Sequence, residues 1–105
     1  MIDLGEINFY GANLKRINLE RANLERTNLT GVNLQGANLF MANLTGAFNL
    51  SIDQLSKVRT LYNAKIDEEL LIQLKEEFPS LFKSLKQKFQ EYQSNLLGAN
   101  AHNNL

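Results

Sequence analysis

The chain has 105 residues, no net charge and no cysteine. This length suits one compact unit with an appendage. The balanced charge argues against a strong electrostatic preference for nucleic acid or a basic partner, and the lack of cysteine excludes a disulfide framework and thiolate chemistry.

From the first residues a leucine or phenylalanine recurs every five positions: Leu4, Phe9, Leu14, Leu19, Leu24, Leu29, Leu34, Leu39 and Leu44. Each centre follows an Asn or Asp, from Asp3 and Asn8 through to Asn43. Two residues before each centre stands a small or β-branched residue, such as Ile2, Ala12, Thr27 or Ala42. Nine pentapeptides run without insertion over residues 2–46. A period of five fits neither an α-helix, where the leucines would spiral around every face, nor a straight strand, where they would alternate sides. All of them can point inward only if the backbone turns a corner in every pentapeptide, which closes the chain into a stacked coil. Gly11, Gly31, Gly36 and Gly46 fall two residues after a centre, where a corner needs a positive φ. Asn tolerates such turns and can bond nearby backbone groups.

Runs such as Ala12-Asn13-Leu14, Ala22-Asn23-Leu24, Ala37-Asn38-Leu39 and Ala42-Asn43-Leu44 resemble the A(N/D)LXX motif of the pentapeptide-repeat family. The resemblance implies a mainly β solenoid: a right-handed quadrilateral β-helix, four pentapeptides per coil, with the centre and the small residue inward. Nine repeats then make about two coils, roughly 11 Å tall at the usual strand spacing. So squat a stack needs help from the C-terminal segment or a partner chain. The family's best-understood subgroup resembles duplex DNA and inhibits DNA gyrase.

Ala47-Phe48-Asn49-Leu50 keeps an Asn-Leu pair one residue late, so the coil is expected to end by residue 50. Ser51 and Gln54 form a capping box for a short helix, about 52–59, whose apolar Ile52, Leu55 and Val58 are placed to cover the last coil. Leu61–Ile66 reads as a short extended return, so residues 51–66 form a capping helix and return segment. Asp67 is expected to cap a second helix, with Glu68 and Glu69 in its first turn. The stripe Leu70, Leu71, Leu74 and Phe78 is interrupted at Pro79 and resumes at Leu81, Phe82, Leu85, Phe89 and Tyr92. Residues 67–93 thus form an amphipathic helical extension of two helices, about 67–78 and 79–93, as a hairpin or a kinked rod, able to dock on the coil, pair with a second copy or bind another protein. Residues 94–105 read as a disordered tail.

No catalytic constellation emerges. The only histidine, His102, falls in the expected tail, and the coil's carboxylates lie beside basic residues. There is no phosphate loop, metal-ligand spacing or nucleophile–base set, so neither an enzyme nor a cofactor or metal site is expected. Residues twenty apart should stack, placing Arg26 over Glu6 within a mixed-sign belt that includes Lys15, Arg16, Glu20, Arg21 and Glu25. A duplex mimic would need acidic columns on a longer stack. Outward Tyr10, Phe40 and Met41 are the candidate partner-binding residues, unless the C-terminal helices cover Phe40 and Met41. The function expected is a protein-binding or scaffold module, the alternatives being a self-assembling structural element and, less favoured, a DNA-mimicking gyrase inhibitor. The expected partner is an unidentified protein or a second copy, with no nucleic acid and no membrane. Met1-Ile2-Asp3-Leu4 enters the repeat without a basic-then-apolar leader, and no apolar run reaches membrane-span length, so a cytoplasmic setting is expected.

Overall fold

A computed structural model describes the backbone of residues 2–103 and the side chains of residues 2–98. Each pentapeptide folds alike. The nine Asp or Asn side chains from Asp3 to Asn43 each accept the N–H two residues on, at 2.9–3.1 Å. The residue after that donor has φ between 54° and 71° at all nine corners. Glycine fills four of them, and Glu6, Arg16, Arg21, Arg26 and Met41 fill the rest. The small residue then donates its N–H to the preceding centre's carbonyl, as Ala42 does to Leu39 at 3.0 Å.

Successive turns pair in parallel at a spacing of twenty, in four columns: Asp3–Asn23–Asn43, Asn8–Asn28–Phe48, Asn13–Asn33 and Asn18–Asn38. Pairing on each side is a single bridge. Among the described residues no strand extends further, because the Asn turn bends the chain immediately. The coil therefore has four sides without a continuous sheet.

Centres and small residues fill the interior. Leu24, Leu29, Leu39 and Leu44 are 0–1% exposed, as are Ala22, Thr27, Ala37 and Ala42. Thr27 donates its hydroxyl to the Leu24 carbonyl at 2.9 Å, so its burial leaves no polar group orphaned. Leu34 and Leu19, the last centre of the first turn, are also buried, whereas Leu4, Phe9 and Leu14, earlier in that turn, are half-buried.

The coil does not end at residue 50. Phe48 bridges Asn28 in register, taking an Asn position with no side-chain acceptor to turn the next corner. The chain instead leaves into helix α1 (Ile52–Ser56), shorter than expected and held by the Ser51–Gln54 capping box. It then rejoins the coil two residues out of phase: Thr60 bridges Asn38 and Lys65 bridges Asn43. The expected return is thus part of a third turn. Thr60 replaces Asn, its hydroxyl accepting the Tyr62 N–H at 3.1 Å. Leu61 is a fully buried centre, and Asn63 takes the positive-φ corner.

α1 closes the side left open. Leu55 and Val58 are buried, and the Gln54 amide donates to the carbonyls of Leu29 and Val32 at 2.8 and 3.0 Å. Helix α2 (Glu68–Glu77) buries Leu74. Asp67 makes no side-chain bond to its own helix. Its carboxylate accepts the Gly46 N–H at 3.2 Å, satisfying a coil donor instead. Pro79 opens a 3-10 turn, Pro79–Phe82, whose Leu81 is buried and accepts the Leu61 N–H on its carbonyl at 2.8 Å.

Helix α3 (Leu85–Asn103) follows. It runs through most of the segment expected to be disordered. Leu96 continues the apolar spacing of Leu85, Phe89 and Tyr92 within a polar stretch. "Mainly β" therefore describes only the coil, and the C-terminal part is helical.

Candidate interaction surfaces

Three surfaces could receive a partner. The first is the coil wall with its charged belt. Arg26 Nη2 sits 3.0 Å from Glu6 Oε1, as stacking at twenty residues requires, and both side chains are more than half exposed. Such a pair adds little stability. Tyr10 is 72% exposed on this wall, and Met41 is exposed at a corner. Phe40 is half-buried: Tyr62 of the third turn stacks on its ring at 5.6 Å, and the Arg21 guanidinium lies 5.8 Å from the ring centroid. The structure therefore separates the expected trio. Phe40 is engaged within the fold, while Tyr10 and Met41 face solvent. The Phe40–Tyr62 contact was not legible because Tyr62 belongs to a turn that breaks the five-residue register.

Beside that stack lies an open cleft of about 270 Å³, formed where the coil meets the start of α3. Glu20, Phe40, Arg59 and Tyr62 line it together with Lys83 and Lys88. Ser84 caps α3, its hydroxyl accepting the Gln87 N–H at 3.1 Å.

The second surface is the lower edge of the first turn. Ile2 and Ile7 are 49% and 41% exposed there. Higher in the stack, each downward-facing side offers one donor and two acceptors. Asn23, for example, donates to the Ile2 carbonyl, while the carbonyls of Asn23 and Glu25 accept from Leu4 and Glu6. The lower edge is thus rich in carbonyls and complementary only to an upward-facing edge.

The third surface is α3. Leu85, Phe89, Tyr92 and Leu96 are 78%, 59%, 61% and 48% exposed, although their spacing of 4, 3 and 4 puts them on one helix face. α2 and the 3-10 turn bury Leu74 and Leu81, whereas no residue of α3 with a described side chain is buried. The helix begins at the coil and extends a molecule whose principal dimensions are 58 × 25 × 22 Å. The side chain of His102 lies outside the described residues.

Among the described residues no group of three or more His, Cys, Asp or Glu could hold a metal ion, and no helix is long and apolar enough to cross a membrane.

No curated protein matches the chain. It is similar to a solved structure, the 1.7 Å crystal structure of a pentapeptide repeat protein from the Arabidopsis thaliana thylakoid lumen, at 19% identity and a TM-score of 0.37. The match covers 70% of this chain and 61% of that one, so the chain spans about three fifths of that protein's length. A family model, "Pentapeptide repeats", matches eight copies over residues 7–47. Those copies coincide with the Asn-turned sides of the coil, and residues 7–47 belong to the pentapeptide-repeat family.

Proposed function

We propose that the chain is a non-enzymatic protein-binding module in which a right-handed coil serves as a rigid platform and α3 as the docking arm. One observation carries this reading: the apolar face of α3 stays in water while α1, α2 and the 3-10 turn bury theirs. An amphipathic helix draws most of its stability from packing that face, and one left unpacked suits a partner that supplies the other half. The alternating sign of the wall, with Arg26 above Glu6, does not suit a duplex mimic, which would present columns of one sign.

The test is affinity capture from the native host's lysate with three baits: the wild-type chain, a Phe89→Glu/Tyr92→Glu variant, and a wall variant, Arg21→Glu. The proposal expects a partner retained by the wild type and the wall variant and lost with the α3 variant. A partner lost only with Arg21→Glu would move function to the coil. No specific partner on any bait would count against a binding role.

A further inference from the structure

The exposed stripe of α3 is self-complementary. Leu85, Phe89, Tyr92 and Leu96 read the same in either direction by spacing, and nearly so by size: leucine, aromatic, aromatic, leucine. Alternating steps of four and three are those of a two-helix seam, in which each knob enters a gap on the facing helix. We propose that two copies of this chain pair antiparallel through α3, about a twofold axis passing between Gln90 and Glu91. The pairing rests on the reading of α3 as the docking arm and names the partner.

That axis sets Leu85 of one copy against Leu96 of the other, and Phe89 against Tyr92. Two leucine layers then flank two aromatic layers in an isologous interface. The charges flanking the seam comply. Lys86 shares a flank of the seam with Gln93 of the second copy and Lys88 shares the other with Asn95, so no like charges meet. Glu91 is engaged by Lys83 of its own chain. A parallel pair would instead bring Lys86 of one copy beside Lys88 of the other. It would also place two coils at the same end of a seam whose helix axes are only about 8–10 Å apart. The antiparallel pair sends the coils to opposite ends.

Pairing through the coil is disfavoured by the fold itself. Two lower edges would oppose carbonyls to carbonyls, and the upper edge is occupied by α1, Asp67 and the Leu81 carbonyl. Four layers make a small seam, below the roughly 1,200 Å² of a standard interface, so the dimer forms at micromolar rather than nanomolar concentration.

Two measurements on the whole chain test this. In sedimentation equilibrium the average mass rises towards that of a dimer between low and high micromolar protein. Phe89→Glu weakens the dimer at least tenfold with the circular dichroism spectrum of the dilute wild-type chain, and Ser94→Glu, on the opposite face, does not. A wild-type chain monomeric throughout, or a dimer indifferent to Phe89→Glu, overturns the proposal. Orientation is read by oxidation, since the chain has no cysteine of its own. Leu85→Cys mixed with Leu96→Cys gives a cross-linked heterodimer, whereas each variant alone gives little. Efficient cross-linking of each variant with itself, or no cross-link in the mixture, overturns the antiparallel arrangement. If the chain stays monomeric yet binds a different protein through Phe89 and Tyr92, the self-pairing falls and the docking-arm reading stands.

Discussion

A leucine inside and an asparagine at the turn make each side of the coil, and the asparagine's part is a hydrogen bond. Its Oδ1 accepts an N–H two residues on at every corner, a bond leucine or alanine cannot supply. Asn38→Ala is expected to cost about 1 kcal/mol by losing that bond, while Asn38→Asp, which keeps the acceptor, should cost less. Urea denaturation of the three proteins decides this, and equal losses would make the turn bond unimportant. The corner after it tells a second story. Arg16 sits at φ 61°, a region costing roughly 1–2 kcal/mol for an L-residue. Arg16→Gly should therefore be stabilising, by no more than about 1 kcal/mol after the gain in unfolded-state entropy. Gly31→Val, forced into φ 67°, should destabilise by more than that. These corners were partly legible: the glycines marked the position, but the arginines, Glu6 and Met41 there look like ordinary surface residues. Arg26 and Glu6 were legible as a stacked pair because the period itself places them. A double-mutant cycle on them should give under about 1 kcal/mol of coupling, declining as salt rises.

Among the elements, α1 shows why periodicity reads the coil yet misses its last turn. The Asn-Leu spacing ends at Leu44, and Asn49-Leu50 imitates a late copy, while the backbone stays in register at Phe48 and departs afterwards. The third turn hides because Thr60 replaces Asn, Leu61 is out of phase, and α1 intervenes. Only the sum Thr-Leu-x-Asn-Ala, with its turn acceptor, centre, corner and small residue, carries the pattern. Gln54 is where helix and coil join: it completes the capping box and donates to two coil carbonyls. Gln54→Ala should cost about 1–3 kcal/mol, since it removes the acceptor of the Ser51 N–H and leaves partly buried carbonyls unpaired, while the Ser51 hydroxyl keeps its bond to the N–H of residue 54. Ser51→Ala removes the hydroxyl half of the capping box, leaves the coil carbonyls paired and should cost less. Thermal unfolding of both separates the two roles. Leucine position matters in the same way. Leu39→Ala, at a fully buried site, is expected to lose roughly 2–5 kcal/mol, and Leu4→Ala, half-buried at the open edge, clearly less. The helices after Asp67 were legible by stripe and by Pro79, although the second was expected from residue 79 and α3 starts only at Leu85, after the 3-10 turn. The length of α3 was not, because Asn, Gln and Ser beyond Tyr92 resemble a tail and only Leu96 extends the seam.

At the scale of the whole molecule, a three-turn coil carries its own lid and one helix that the lid does not use. Leu74 and Leu81 are spent inside, and Leu85, Phe89, Tyr92 and Leu96 are left outside. The spacing of these residues was readable from the sequence. Which of them the coil would take was not, since that depends on where the third turn lies and how the 3-10 turn meets Leu61. The division predicts different local stabilities, because an unpacked helix opens far more readily than one with buried contacts. Hydrogen–deuterium exchange on the intact chain tests this most directly, followed from low to high micromolar protein. The expected result is slow exchange in the coil from Leu19 to Leu44 and in α2 at every concentration, with fast exchange in α3 from Leu85 to Leu97 when dilute and growing protection as concentration rises. Protection in α3 equal to that in α2 in the most dilute sample would contradict the account, because it would mean that the helix packs on its own coil.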